Sequence, residues 1–280
     1  MNSKVIDTGT VKKAVRPILA LVGSLLAYAL VALAGGANAS PLAAGSGNGV
    51  PLPPPTVPPT VAITSPTPVP TIAGCTMTFT DVLSTDWFYE PVQWMLCHGI
   101  VSGYADNTFR PGNATTRGQI MKIAVGAFNL PAHVDSGPHF ADVPAAHTFY
   151  SYVETAYFYS IVNGYPCGGV GEPCDADNHP YFRPGVEVTR GQLTKIAVLT
   201  AILTNPTVWE LLSPAVPTFA DVAPGSPFYG YVETAVAHNI LQGYDCGAAG
   251  EPCPGRYFRS NSNSTRAQLS KIVYRAVVQP

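Results

Sequence analysis

An all-α repeat protein is predicted for this chain of 280 residues, and three observations carry the prediction. One unit is spelled three times: an F-x-D-V opener, an aromatic- and Val-rich stretch, a Gly-Tyr turn, an F-R element and a T-R-[GA]-Q-x-x-K-I close. The copies run from Phe79, Phe140 and Phe219 to Val125, Val198 and Val273. Within each copy apolar residues recur at helical spacing in two stretches. Neither helix buries its stripe alone, so three helix-loop-helix pairs must pack together into one body.

The N-terminus comes first. Lys12, Lys13 and Arg16 precede an apolar run over residues 18–34, followed by small residues ending at Ala39. A positive flank, an apolar core and an A-x-A site make residues 1–39 a secretory signal peptide, cleaved after Ala39. The run lies near the lower limit for a membrane span, so an uncleaved anchor is the alternative. Residues 40–74 are rich in Pro, Thr, Ala and Gly, with too few large apolar side chains to offset ordering entropy. They read as a disordered, extended Pro-rich spacer. The repeats are expected over residues 75–130, 138–204 and 217–280.

In each repeat the first helix is expected to begin at cap chemistry five residues after the opener's aspartate. Asp86 and Ser226 fill that place, with Pro227 at a first helical position. His147 is a poorer cap, and Thr148 is its substitute. Phe149, Val153, Ala156 and Tyr157, then Phe228, Val232, Ala235 and Val236, follow at helical spacing. Glycine marks the stops at Gly99, Asn163-Gly164 and Gln242-Gly243. The second helix opens with a capping box, Thr116/Gln119, Thr189/Gln192 and Thr265/Gln268, in which hydroxyl and amide satisfy each other's backbone N–H.

The chain holds fifteen basic and seventeen acidic residues; four and one of them fall in residues 1–39, leaving eleven against sixteen. That acidic balance excludes a nucleic-acid or anionic-membrane binder driven by bulk field. Nine of the eleven occupy three recurring positions: Arg110, Arg183 and Arg259; Arg117, Arg190 and Arg266; Lys122, Lys195 and Lys271. The lysines read as solvated helix faces, and Arg110, Arg183 and Arg259 as loop braces. Arg117, Arg190 and Arg266 stand in a first helical turn, where the dipole disfavours a cation. Two readings stay open for them. One is a structural pair with Asp81, Asp142 or Asp221; the other is an arginine that, with free helix-start N–H groups, holds an external carboxylate or phosphate.

Six cysteines sort into pairs. Cys167 and Cys174 bracket G-G-V-G-E-P, and Cys246 and Cys253 bracket G-A-A-G-E-P, in insertions that the first copy spans with Ala105-Asp106-Asn107-Thr108. Cys75 and Cys97 form the remaining pair. In an exported chain these are disulfides, whereas zinc lacks a C-x-x-C or Cys/His ligand set. Asp175-Ala-Asp177-Asn178 hints at calcium but reads as turn chemistry.

Taken together, F-x-D-V, W-F-Y with Trp87, G-I-V-S-G-Y-A-D-N-T-F-R-P and T-R-G-Q resemble the S-layer homology domain, three in tandem over about residues 75–280. The resemblance implies a pseudo-threefold assembly around a central helical bundle, with grooves between neighbouring repeats. It also implies non-covalent binding of cell-wall polysaccharide, often bearing acidic pyruvyl ketals. Carried over residue by residue, the family's binding arginine falls on Arg117, Arg190 and Arg266. The opener's aspartate falls on Asp81, Asp142 and Asp221. The loop glycines fall on Gly103, Gly164 and Gly243, and the tryptophan on Trp87. The family's T-R-A-E has become T-R-G-Q twice and T-R-A-Q once, and Thr148 and Pro227 replace the tryptophan. The groove of Arg117 is expected to bind best, because that copy keeps Trp87 and the short loop.

The expected function is an exported cell-surface module that binds cell-wall polysaccharide or a peptidoglycan-linked polymer. The alternative is a subunit of a surface array, or a membrane-to-wall tether, acting on other surface-layer proteins. No G-x-S-x-G, H-E-x-x-H or phosphate-loop motif is present, so no enzyme and no cofactor are expected. The six histidines are scattered along the chain and fall in no catalytic motif.

Overall fold

A computed structural model describes Ile72 and residues 74–278. The expected leader, residues 1–39, and nearly all of the expected spacer, residues 40–74, lie outside the described residues. The regular structure of the described chain is almost all helical, as the periodicity predicts. Its helices are α1 (Tyr89–Cys97), α2 (Arg117–Ala127), α3 (Tyr150–Phe158), α4 (Arg190–Thr204), α5 (Tyr229–Ala237) and α6 (Arg266–Val278). Among the described residues no helix is long and apolar enough to cross a membrane.

The second helix of each repeat starts where the capping box places it. In α2 and α4 the threonine hydroxyl accepts from the N3 backbone and the glutamine side chain accepts from the cap backbone. Thr265 and Gln268 exchange the same two bonds at α6. The first helices start later than their cap residues predict. Asp86 accepts the Leu83 N–H at 2.8 Å, His147 Nδ1 accepts from Phe149 at 3.1 Å and Ser226 accepts from Phe228 at 3.3 Å. These residues therefore close the turn ahead of the helix, and Pro227 precedes the helix start instead of opening it. Phe88, Phe149 and Phe228 hold the N-cap positions without a side-chain cap bond. Packing replaces capping there: the Phe149 ring lies against Gly118 and the Phe228 ring against Gly191, close enough to leave no room for a Cβ.

The stops also move. Gly99 is the left-handed residue after α1, at φ +67°, but Ser160 (+59°) and Asn239 (+57°) hold that place after α3 and α5. In each case the next residue's N–H reaches back six residues' span, as in Ile100 to Met95 (2.9 Å) and Ile240 to Ala235 (2.8 Å). This is the Schellman closure, and it tolerates Asn or Ser when tertiary packing supplies the difference. Gly164 and Gly243 lie beyond the helices. With Gly103 they hold φ of +66° to +70°, and a Cβ would run into Phe79, Phe140 or Phe219 and a backbone carbonyl.

The three longer helices α2, α4 and α6 pack on one another. Each short helix leans on the long helix of another repeat: α3 on α2, α5 on α4, and α1 on α6. Three backbone bonds close a ring at the helix starts, from Thr115 to Ser264 (2.9 Å), Ser264 to Val188 (2.9 Å) and Val188 to Thr115 (2.8 Å). Phe109, Phe140, Phe182, Phe219, Phe258 and Trp209 fill the core. Buried Glu154 and Glu233 fasten the inter-repeat segments: Glu154 accepts the His139 N–H (3.1 Å), and Glu233 accepts the Thr218 N–H (2.9 Å) and hydroxyl (2.6 Å).

One short pair of strands was not predicted. β1 (Tyr244–Asp245) and β2 (Arg256–Tyr257) pair antiparallel, and Tyr165 bridges Tyr181 at the same place in the second repeat. They form the neck of each inserted loop, whose backbone needs partners that a four-residue turn does not. Disulfides join Cys75 to Cys97, Cys167 to Cys174 and Cys246 to Cys253, with Cα–Cα distances of 5.7, 5.0 and 5.3 Å. Asp175 accepts from the His179 backbone (2.9 Å) and pairs with its ring (2.7 Å), so its carboxylate is spent on a turn.

Candidate site at the repeat junctions

Because each long helix begins against another repeat, its first-turn arginine points across a junction. Arg117 donates from Nε to the Phe182 carbonyl (2.9 Å), Arg190 to that of Phe258 (2.9 Å) and Arg266 to that of Phe109 (2.7 Å). The three are buried, at 6–8 % exposure. Among the described residues Nε makes each guanidinium's only protein hydrogen bond, and neither terminal nitrogen is fully buried. Burial pushes each guanidinium down from its ordinary pKa, while the nearby tyrosine and aspartate act the other way. An arginine nevertheless stays charged.

The helix-start N–H groups are not free, and this overturns half of the anion-binding reading. Arg117 and Gly118 donate theirs to the carbonyls of Val186 (2.8 Å) and Pro184 (2.9 Å). Arg190 and Gly191 donate to Ser262 and Ser260 (both 2.9 Å), and Arg266 and Ala267 to Asn113 (2.8 Å) and Pro111 (3.0 Å). The threonine cap takes the N3 donor. What remains for a ligand is the guanidinium tip alone.

The aspartates do not pair with these arginines by hydrogen bond. Asp81, Asp142 and Asp221 each bridge two consecutive backbone N–H groups: Phe109 and Arg110 (both 2.7 Å), Phe182 and Arg183 (2.7 and 2.6 Å), Phe258 and Arg259 (2.7 and 2.6 Å). The second residue of each pair is an arginine at φ +58° to +64°, a conformation a bulky side chain adopts only when held. The opener's carboxylate is that clamp. It also presents the preceding phenylalanine carbonyl to the arginine from the neighbouring repeat.

Sequence reasoning missed the tyrosine of each Gly-Tyr turn, although the motif displayed it. Tyr165 lies between two guanidiniums, Arg183 at 4.0 Å and Arg117 at 5.0 Å from its ring centre. Tyr244 lies between Arg259 (4.2 Å) and Arg190 (4.8 Å), and Tyr104 between Arg110 (3.9 Å) and Arg266 (5.2 Å). Each first-turn arginine also lies 4.4–4.8 Å from the ring centre of the phenylalanine whose carbonyl it bonds. Each junction thus gathers two arginines, a tyrosine and a phenylalanine, joined by cation–π attraction.

Trp87 belongs to a different junction from the one expected. The Lys271 ammonium on α6 lies 5.2 Å over its ring, and the ring is 56 % exposed. Trp87 and the short loop therefore share the junction of Arg266, while Arg117 faces the second repeat's inserted loop. The expectation that tied Trp87 to Arg117 fails because the first helix of a repeat packs on the long helix of another. Lys195 likewise lies 5.4 Å over Tyr231, so these lysines cover aromatic faces as well as solvent.

Residues 78–121, 139–194 and 218–247 match the family described as S-layer homology domain. Two curated relatives are similar to this chain. An amylopullulanase of Thermoanaerobacterium thermosulfurigenes is 24 % identical over 197 residues, 70 % of this chain. The S-layer protein sap of Bacillus anthracis is 31 % identical over 71 residues, 25 % of this chain. The match spans 9 % of the length of either relative.

Proposed function

From a chain whose three repeats are S-layer homology domains, we propose an exported module that holds cell-wall polysaccharide non-covalently in the grooves between repeats. It anchors itself, or a partner, to the cell envelope and catalyses nothing. The observation that carries this reading is the guanidinium at each junction. It is fixed through Nε, flanked by aromatic rings, and left with terminal nitrogens that, among the described residues, bond no protein atom. Such a group suits an acidic substituent on a sugar, since a charge-assisted contact to arginine gives both strength and direction. The rings beside it offer faces to the sugar itself. Arg117, Arg190 and Arg266 are the proposed ligand contacts, with Trp87 a platform at the junction of Arg266. Asp81, Asp142 and Asp221, with Gly103, Gly164 and Gly243, shape the loops that present them.

The proposal includes the repeat bounds 75–130, 138–204 and 217–280 in a pseudo-threefold bundle, supported by the ring of bonds through Thr115, Ser264 and Val188. It also includes a leader over residues 1–39 and a spacer over residues 40–74, which place the repeats outside the membrane. The relative named as an S-layer protein favours a surface location, and supports a second reading in which the repeats contact other proteins of a surface array. Purified full-length protein mixed with wall sacculi separates the two. Retention on intact sacculi that disappears once non-peptidoglycan polymer is stripped supports polysaccharide binding. Equal retention after stripping refutes it.

A further inference from the structure

The three junctions share one plan but differ in the second arginine. In the second and third repeats this arginine is held by a glutamate of the inserted loop. Arg183 donates from Nε and Nη2 to both oxygens of Glu172 (2.7 and 2.7 Å), and Arg259 does the same to Glu251 (2.7 and 2.8 Å). The two glutamate side chains are only 16 % and 12 % exposed. Each sits in a turn built to hold it: Glu172 exchanges backbone bonds with Gly168 (2.7 Å) and Gly169 (3.0 Å), and Glu251 with Gly247 (3.1 Å) and Ala248 (2.9 Å). The Cys167–Cys174 and Cys246–Cys253 disulfides close the same turns. Guanidinium and carboxylate pair as a planar fork, the arrangement an acidic sugar would otherwise supply.

The first repeat has no such loop. Arg110 donates from Nη2 to one oxygen of Asp106 (3.1 Å) and from Nε to the Thr108 hydroxyl (3.3 Å), both within four residues of it in the chain. The Arg110 and Asp106 side chains are about half exposed, at 43 % and 54 %. Its ring neighbour differs too. The Tyr165 and Tyr244 hydroxyls accept from Gln192 (3.2 Å) and Gln268 (3.0 Å), whereas among the described residues the Tyr104 hydroxyl makes no hydrogen bond. Arg266 shares the Tyr104 ring with Arg110, and on the same helix as Arg266 the Lys271 ammonium lies over the exposed Trp87 ring.

We propose that the junction of the third and first repeats is the open carboxylate-binding site, and that Glu172 and Glu251 act as built-in competitors that close the other two. The proposal rests on the polysaccharide-binding reading and adds to it which junction is used and what sets that choice. The open site takes a sugar-borne carboxylate between Arg110 and Arg266, with the Tyr104 hydroxyl in reach. At the other two junctions a carboxylate that is to bridge both arginines must displace a glutamate whose turn is already fixed, so it gains little.

The test uses the full-length chain and, as probe, soluble polymer released from wall sacculi, with the same polymer after carboxyl reduction as control. Calorimetric titration compares wild type, Arg110→Gln, Glu172→Gln/Glu251→Gln and the triple variant. Arg110→Gln leaves the main-chain clamp by Asp81 in place, so it reads the ligand contact and not the fold. We expect it to weaken binding at least tenfold. The double variant should bind more polymer per chain, and the triple variant should regain the binding that Arg110→Gln loses. Carboxyl-reduced polymer should bind to none. Glu210→Gln, at an exposed carboxylate that bonds none of these arginines, measures the effect of removing one negative charge elsewhere, half the change in the double variant. Wild-type affinity in Arg110→Gln, or a triple variant no better than Arg110→Gln, overturns this proposal while leaving polysaccharide binding intact. Absence of binding by wild type and double variant alike overturns the underlying reading as well.

Discussion

Replacing Arg190 by alanine separates what the arginine does for the fold from what it does for a ligand. The substitution removes a charge-assisted bond to the Phe258 carbonyl, about 1.5–3 kcal/mol. It also removes cation–π contacts to Tyr244 and Phe258, about 0.5–1 kcal/mol each where solvent is near. Against this, loss of a cation from the first helical turn returns about 0.3–1 kcal/mol. The net cost is about 1.5–4.7 kcal/mol, which for a folded region of this size lowers the melting temperature by about 3–19 °C. Arg190→Lys should recover less than half, because lysine has no Nε to meet the carbonyl. Scanning calorimetry of the full-length protein and both variants without ligand is the assay. A melting temperature within about 2 °C of wild type for Arg190→Ala would refute the bracing argument. It would return the arginine to a purely ligand-facing role.

Three further outcomes follow from the same geometry. Gly118→Ala, which in an ordinary helix would gain stability, should instead lose about 1–3 kcal/mol, because its Cβ meets the Phe149 ring; a raised melting temperature contradicts this. Glu172 and Glu251 are held below the ordinary carboxyl value of 4.5, chiefly by hydrogen bonds from Arg183 and Arg259. Since their folded pKa is depressed, the stability they contribute is present above about pH 4.5 and lost as pH falls through the lowered value. Melting curves of Glu172→Gln/Glu251→Gln should therefore show a flatter acid limb than wild type, and an identical limb counts against the pairing. Replacing Cys75 and Cys97 by serine opens a loop of sequence separation 22 and should cost about 3 kcal/mol in chemical denaturation; an unchanged midpoint would show that the crosslink does not constrain the unfolded chain.

The repeat, the all-α class and the second helices were legible because their signals are local. A capping box needs four consecutive residues, and Thr116/Gln119, Thr189/Gln192 and Thr265/Gln268 supply them without help from the rest of the fold. The first helices were harder. Phe149 and Phe228 start α3 and α5 by packing on Gly118 and Gly191 of another repeat, a contact invisible to local cap rules. The stops were misread for a similar reason, since Ser160 and Asn239 hold left-handed backbone that single-sequence reasoning assigns to glycine. At the site, the arginines were picked out by a charge that the helix dipole opposes. Their bond partners were not, because Phe182, Phe258 and Phe109 lie 65, 68 and 157 residues away and contribute only a carbonyl. Trp87 was tied to the wrong junction because proximity in sequence stood in for proximity in space. Glu172 and Glu251 sat in plain view within both insertions, yet a lone glutamate beside proline carries no signal until its arginine is seen.

The central claim is that junction arginines hold the wall polymer, and guanidinium resonances observed by nitrogen-15 NMR report on them directly. On titration of full-length protein with soluble wall polymer, the account predicts shifts of the Arg266 and Arg110 side-chain signals. Those of Arg183 and Arg259 should stay in place until Glu172 and Glu251 are neutralised. Polymer that binds while every junction arginine keeps its free-state resonance would contradict the account.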